Sequence, residues 1–181
     1  MSGDQRAFAL IVADFKHEKY GDKYPVVLLN RKILMPSKYM EWQGKIGLFG
    51  GKVEPGETPW ECAQRELMEE LSLPLPDPEP GPTSTRHIFN SVIFCVHIGG
   101  FNQRDMTHWA GQCTEGLLDV FDISRMKNTH SSEFVAPSIH QLVLNFLVAQ
   151  QPRARAQPRA PTAARTFKEL VRGVGPSRET T

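Results

Sequence analysis

Three carboxylates, Glu66, Glu69 and Glu70, crowd one stretch of this chain, GKVEPGETPWECAQRELMEELSL from Gly51 to Leu73. On an α-helix, spacings of three and four place them within an arc of about 100°. Like charges so placed repel by roughly 0.2–0.5 kcal/mol per pair. Arg65 relieves part of this, since it is four residues from both Glu61 and Glu69. The positions four before Glu66 and four after Glu70 are Cys62 and Pro74, so no local cation answers that pair. An unneutralised acidic pair points to a missing cation, and hard carboxylate oxygens suit Mg²⁺ or Mn²⁺. The alternative is an ordinary solvated acidic face.

The helix that must carry these groups is well specified. Thr58 and Glu61 form a capping box, and Pro59 falls at the first helical position, where a missing N–H costs nothing. Trp60, Ala63, Leu67 and Leu71 make one apolar stripe, and Pro74 stops the helix. The acidic arc lies beside that stripe, so the carboxylates are expected at the rim of a packed interface. Before the helix, Phe49-Gly50-Gly51 ends an apolar run and enters a loop with Pro55-Gly56. Paired glycines allow close approach of a ligand to the backbone.

The same stretch resembles the Nudix box, G-x5-E-x7-R-E-U-x-E-E-x-G-U, where U is a bulky aliphatic residue. Gly51, Glu57, Arg65, Glu66, Leu67, Glu69, Glu70 and Leu73 are in register. Ser72 stands where the family has glycine. That glycine ends the helix in a left-handed conformation, which serine adopts at a cost of about 1 kcal/mol. The resemblance implies an α/β fold, an α/β/α sandwich with a mixed β-sheet. It also implies metal-dependent hydrolysis of a nucleoside diphosphate linked to another group, with Mg²⁺ or Mn²⁺ held by Glu66, Glu69, Glu70 and the Gly50 carbonyl. Arg65 would orient the carboxylates through Glu57 and Glu69, with Gly51 in support. Glu57 is either the partner of Arg65 or a water-mediated ligand. The general base is a box glutamate, Glu69 or Glu70, or a later carboxylate, Glu115 ahead of Asp119.

Base recognition needs an apolar or aromatic clamp and a few polar groups. Trp42, Phe49 and Trp109 could stack on a base or serve as packing. Arg31 could reach phosphate or stay solvated. The run Phe49 to Val53 is similar to the MutT-like branch that removes oxidised purine triphosphates. In that resemblance the segment entering the last helix, here Ser131, Ser132 and Glu133, reads the base. Two other readings are a non-catalytic Nudix-like module that binds nucleotide or RNA, and a hydrolase acting on capped RNA ends.

Strands are expected at Phe8–Phe15, Pro25–Asn30, Ile46–Phe49, Ile88–Ile98 and Leu117–Ile123, and a second helix at Pro137–Ala149. Residues 31–45 and Gly99–Thr114 read as loops, and Pro74–Pro82 as an irregular connection. The 181 residues suffice for one domain, assigned to 1–150. The near-zero net charge hides two unlike parts. Residues 151–181 carry seven Lys/Arg and two Asp/Glu, which leaves the domain net acidic. The tail, rich in Pro, Ala and Arg, reads as disordered, with Thr166–Arg172 too short for a stable helix, and could contact RNA. Three scattered cysteines argue against a disulfide framework and for a reducing, cytoplasmic setting. The first apolar run, Ala7–Val12, is too short for a signal peptide, and no run approaches a membrane span.

Overall fold

Strand β1 (Arg6–Lys16) is the axis of the sheet because its side chains are apolar on both faces. Ala7, Ala9, Ile11 and Ala13 face one core cluster, and Leu10 and Val12 face the other. The computed structural model describes residues 4–16, 23–33, 37–75, 77, 79, 81 and 84–150. The basic tail, with its expected disorder and RNA contact, lies outside those residues.

The remaining strands are β2 (Lys23–Lys32), β3 (Ile46–Gly47), β4 (Phe49–Lys52), β5 (Thr85–Ile88), β6 (Ser91–Phe101) and β7 (Gly116–Phe121). They form one mixed seven-stranded sheet in the order β3-β2-β1-β6-β5, with β4 also pairing β1 and β7 pairing β2. The central β1–β6 pair is parallel and the others are antiparallel. Parallel pairs are covered on both faces, and here helices supply the cover. Helix α1 (Pro59–Leu71) contributes Trp60, Ala63, Leu67 and Leu71 to the cluster containing the β1 alanines. Helix α2 (Gln103–Gln112) adds Met106 and Trp109 to that face. Helices α3 (Ile123–Asn128) and α4 (Pro137–Gln150) cover the other, with Met126, Val143 and Leu147. This is the expected α/β/α sandwich with a mixed sheet. No helix among the described residues is long and apolar enough to cross a membrane.

Several expectations need correction. The strand expected over Ile88–Ile98 is divided by a turn at Phe89 and Asn90 into the end of β5 and β6, and that over Ile46–Phe49 is divided at Leu48 into β3 and β4. Gly99–Thr114 is not a loop: it finishes β6 and then forms α2, opened by a capping box of Asn102 and Asp105. Residues 31–45 end β2 and hold a 3₁₀ segment over Ser37–Trp42. The strand expected to run to Ile123 stops at Phe121, where Asp122 caps α3.

Helix α1 begins as its sequence dictates, with both halves of the Thr58–Glu61 capping box formed. It ends at Ser72 with φ 52°, the left-handed conformation. The Ser72 amide donates to the Met68 carbonyl at 3.0 Å, the single 5→1 bond of an αL ending, and the Leu73 amide reaches back to the Leu67 carbonyl at 3.5 Å. A side chain there costs about 1–2 kcal/mol. Ser72→Gly is therefore expected to raise stability by about 1 kcal/mol. The check is a higher urea midpoint with an unchanged m-value.

Candidate active site

Glycines at the β1 edge decide what α1 can place against the sheet. Gly50 has φ 135°, and a Cβ there would sit 2.2 Å from the Ala7 carbonyl oxygen. At Gly51 a Cβ would lie 2.2 Å from Glu66 Oε1. Gly50 thus lets β4 close against the β1 backbone, and Gly51 leaves room for the Glu66 carboxylate of α1.

Glu70 lies deeper than Glu66. It is 1% exposed, so it belongs to the core and not to the rim expected from sequence. The Gly50 amide donates to its Oε2 at 3.1 Å. Asn30 Nδ2 and Lys32 Nζ, both on β2, donate to its Oε1 at 3.2 Å each. The pair expected to lack a cation therefore has partners: Lys32, distant in sequence, answers Glu70, and the adjacent Arg65 answers Glu66 at 2.9 Å. Burial pushes the Glu70 carboxyl up to about 7. Lys32 and the Gly50 amide pull it down, while Glu115 adds to the rise. Burial likewise raises Glu66, with Arg65 opposing and Glu69 and Glu115 reinforcing.

Arg65 gathers the rest. Its guanidinium holds Glu57 through two bonds, at 2.9 and 3.2 Å, and its NH1 lies 2.9 Å from Glu66 and 3.5 Å from Glu69. The Glu69 side chain is 63% exposed. Thr114 ties the next segment to the end of α1, its N–H donating to the Glu70 carbonyl and its Oγ1 to that of Glu69. That places Glu115 beside the cluster, close enough to raise both Glu66 and Glu70.

A cavity of about 750 Å³ opens from this cluster across the α4 face of the sheet. Gly50, Gly51, Glu66, Lys32 and Glu115 border it at one end. Phe8, Ile88, Phe89, Ile93 and Ile139 make the rest largely apolar. Of the residues offered for base stacking, Trp42 lines the cavity, with the Arg6 guanidinium 6.0 Å from its ring centre. Phe49 does not: it is fully buried on the α1 side. Trp109 stacks on Phe101 at 5.1 Å within the α1–α2 layer. Arg31 is held by Asp119 at 2.9 Å and by the Gly44 carbonyl, and Asp119 also binds Arg125 at 2.6 Å. Neither of those two reaches the cavity wall. The segment entering α4 does, but through Val135, Ala136, Ser138 and Ile139 rather than Ser131, Ser132 or the exposed Glu133. Asn30 and Lys32 went unread in the sequence; their signal was a polar pair, two apart, closing the apolar strand PVVLLNRK.

Among the described residues, no three His, Cys, Asp or Glu side chains are already gathered around one metal-sized point. Their chemistry nonetheless fits a hard divalent cation. Glu57, Glu66, Glu69, Glu70 and Glu115 outnumber the cations Lys32 and Arg65. Two of the carboxylates, Glu66 and Glu69, already converge on one nitrogen of Arg65.

The Glu57–Arg65 pair gives a pH signature. Hydrogen bonding to Arg65 lowers the Glu57 carboxyl from 4.5 to about 2. A depressed folded value means that the stabilisation is fully present above the unfolded pKa and is lost as pH falls through the folded one. Glu57→Gln is therefore expected to be less stable than wild type at pH 6. That gap should close between about pH 4.5 and 2 in urea unfolding.

The NUDIX domain family model matches residues 4–109, more than half of the chain. No curated protein matches the sequence. Among solved structures, a mutT/nudix family protein from Listeria innocua has a similar fold, at TM-score 0.54 and 17% identity over 82% of this chain and 95% of that one. A NUDIX-family hydrolase from Clostridium perfringens scores 0.49 at 17% identity, covering 82% and 99%. A C. elegans Ap4A hydrolase scores 0.46 at 14% identity, covering 80% and 99%. Box, sheet and family match agree, and the chain belongs to the Nudix family, hydrolases acting on pyrophosphate bonds.

Proposed function

We propose that this chain hydrolyses a diphosphate linkage in a nucleoside diphosphate derivative, with Mg²⁺ or Mn²⁺ held by Glu66, Glu69, Glu70 and the Gly50 carbonyl. The observation that carries this reading is the two-ended cavity: carboxylates and bare glycine backbone at one end, an apolar chamber of nucleoside size beyond. A net-acidic domain repels a diphosphate, so the two need cations between them. Bound there, a divalent ion supplies neutralisation of phosphate oxygens and activation of water.

The chain's own residues do the positioning. Arg65 fixes the Glu66 carboxylate and draws Glu69 toward it while anchored on Glu57. Lys32 presents an ammonium at the acidic end of the cavity wall and holds Glu70 from β2. Glu115 is exposed, borders the cavity and forms no ion pair among the described residues. It takes the proton of the attacking water, in preference to Asp119, which two arginines occupy.

Phosphate release with Mg²⁺ should be followed for nucleoside triphosphates, nucleotide sugars, dinucleoside polyphosphates and capped RNA. Wild type is expected to turn over at least one class. Glu66→Gln and the exposed Glu69→Gln should each lose about 100-fold or more in kcat. Glu133→Gln, outside the cavity, should stay within about twofold of wild type. Failure of wild type on every class, or undiminished turnover by Glu66→Gln and Glu69→Gln, would contradict the assignment.

A further inference from the structure

The apolar half of the cavity ends at a turn that the fold does not need in its present form. Phe89 and Asn90 join β5 to β6 between the paired residues Ile88 and Ser91. Two-residue connections that need positive φ at the first central position favour glycine there. Phe89 holds that position at φ 50°. A bulky side chain in this region is an outlier, and burial does not compensate it, since Phe89 is 98% exposed. The turn is nonetheless anchored. The Arg6 amide donates to the Asn90 carbonyl at 3.0 Å, and the Arg6 guanidinium lies over Trp42. Arg6, Trp42 and Phe89 all border the same cavity. Strain of this kind clusters at ligand sites, and here it stands at the mouth of the cavity.

The layout of the sheet says which part of the ligand. Gly51, Ala7, Val92 and His87 are neighbours across β4, β1, β6 and β5. The β5 edge is thus three strand spacings from the glycines, roughly 14 Å at about 4.8 Å each. Less the reach of a side chain from either end, that leaves the length of a nucleoside between the acidic end and Phe89. The group that arrives at the far end with a flat apolar face is the base. We propose that Phe89 is a substrate-binding residue that stacks on the base of the bound nucleotide. This rests on the diphosphate reading given above, and deepens it.

Calorimetric titration of the full chain with GMP, AMP and ribose 5-phosphate, in Mg²⁺, tests the proposal alongside the hydrolysis assay. Phe89→Gly should weaken both nucleoside monophosphates by about tenfold and leave ribose 5-phosphate within about twofold. The same substitution should raise Tm by about 2–4 °C, because it relieves the turn. Phe89→Trp should keep nucleotide affinity. Unchanged nucleotide binding in Phe89→Gly, or an equal loss for ribose 5-phosphate, overturns the proposal. A wild-type dimer that Phe89→Gly abolishes would assign the ring to a second copy and also overturn it. Absence of nucleotide binding by wild type does the same. Binding that depends on Phe89 without hydrolysis of any diphosphate would support the base contact and refute the reaction. Hydrolysis with nucleotide binding indifferent to Phe89 would do the reverse.

Discussion

Glu70 has almost no access to solvent, and a carboxylate in that position costs several kcal/mol unless donors surround it. Three do: the Gly50 amide from β4, and Asn30 and Lys32 from β2. These contacts fix the rotation of α1 about its axis and its height over the sheet. With Glu70 seated, Glu66 one turn earlier must meet β4, and only a residue without a side chain can stand opposite it, as Gly51 does. Gly116 on β7 serves the same packing from the other side, since a Cβ there would lie 2.0 Å from Asn30 Oδ1. Breaking such a pair by removing one partner leaves a buried charge, which is why polar residues in this layer are tied to one another rather than interchangeable.

The same seating concentrates negative charge. Lys32 and Arg65 offset only part of it, and the upward shifts of Glu66 and Glu70 record burial first, then repulsion from Glu115 on both and from Glu69 on Glu66. A site in that condition gains from a divalent cation. The cavity turns this into selectivity between parts of a substrate. Its acidic end suits the cation with a phosphate chain, and its apolar end suits a ring. Helix α1 lies on one face of the sheet and the chamber spreads over the other, so the glycine strand is the place where chemistry and recognition meet.

Much of α1 was legible because its signals are local. The Thr58 cap, Pro59, the apolar stripe and the carboxylate spacing all lie within one helix, and the left-handed ending at Ser72 was implied by the resemblance to the Nudix box. The continuous apolar runs of β1 and β6 likewise marked them as strands. Helix α2 was hidden because its apolar residues are few, Met106 and Trp109, although the Asn102–Asp105 capping box was there to read. Neutralisation of Glu70 by Lys32 could not be seen, because it depends on how β2 registers against β1. Phe49 stayed open between stacking and packing for a related reason: the sequence says that a strand has two faces, not which face the cavity takes.

All of this turns on the α1 carboxylates holding a divalent ion beside Gly50. Electron paramagnetic resonance of Mn²⁺ titrated with protein, without substrate, reads free and bound metal directly. Wild type is expected to bind Mn²⁺ at or below about millimolar concentration, with Glu66→Gln at least about tenfold weaker. Mn²⁺ left free by folded wild type at that concentration, or bound equally well by Glu66→Gln, would contradict the account.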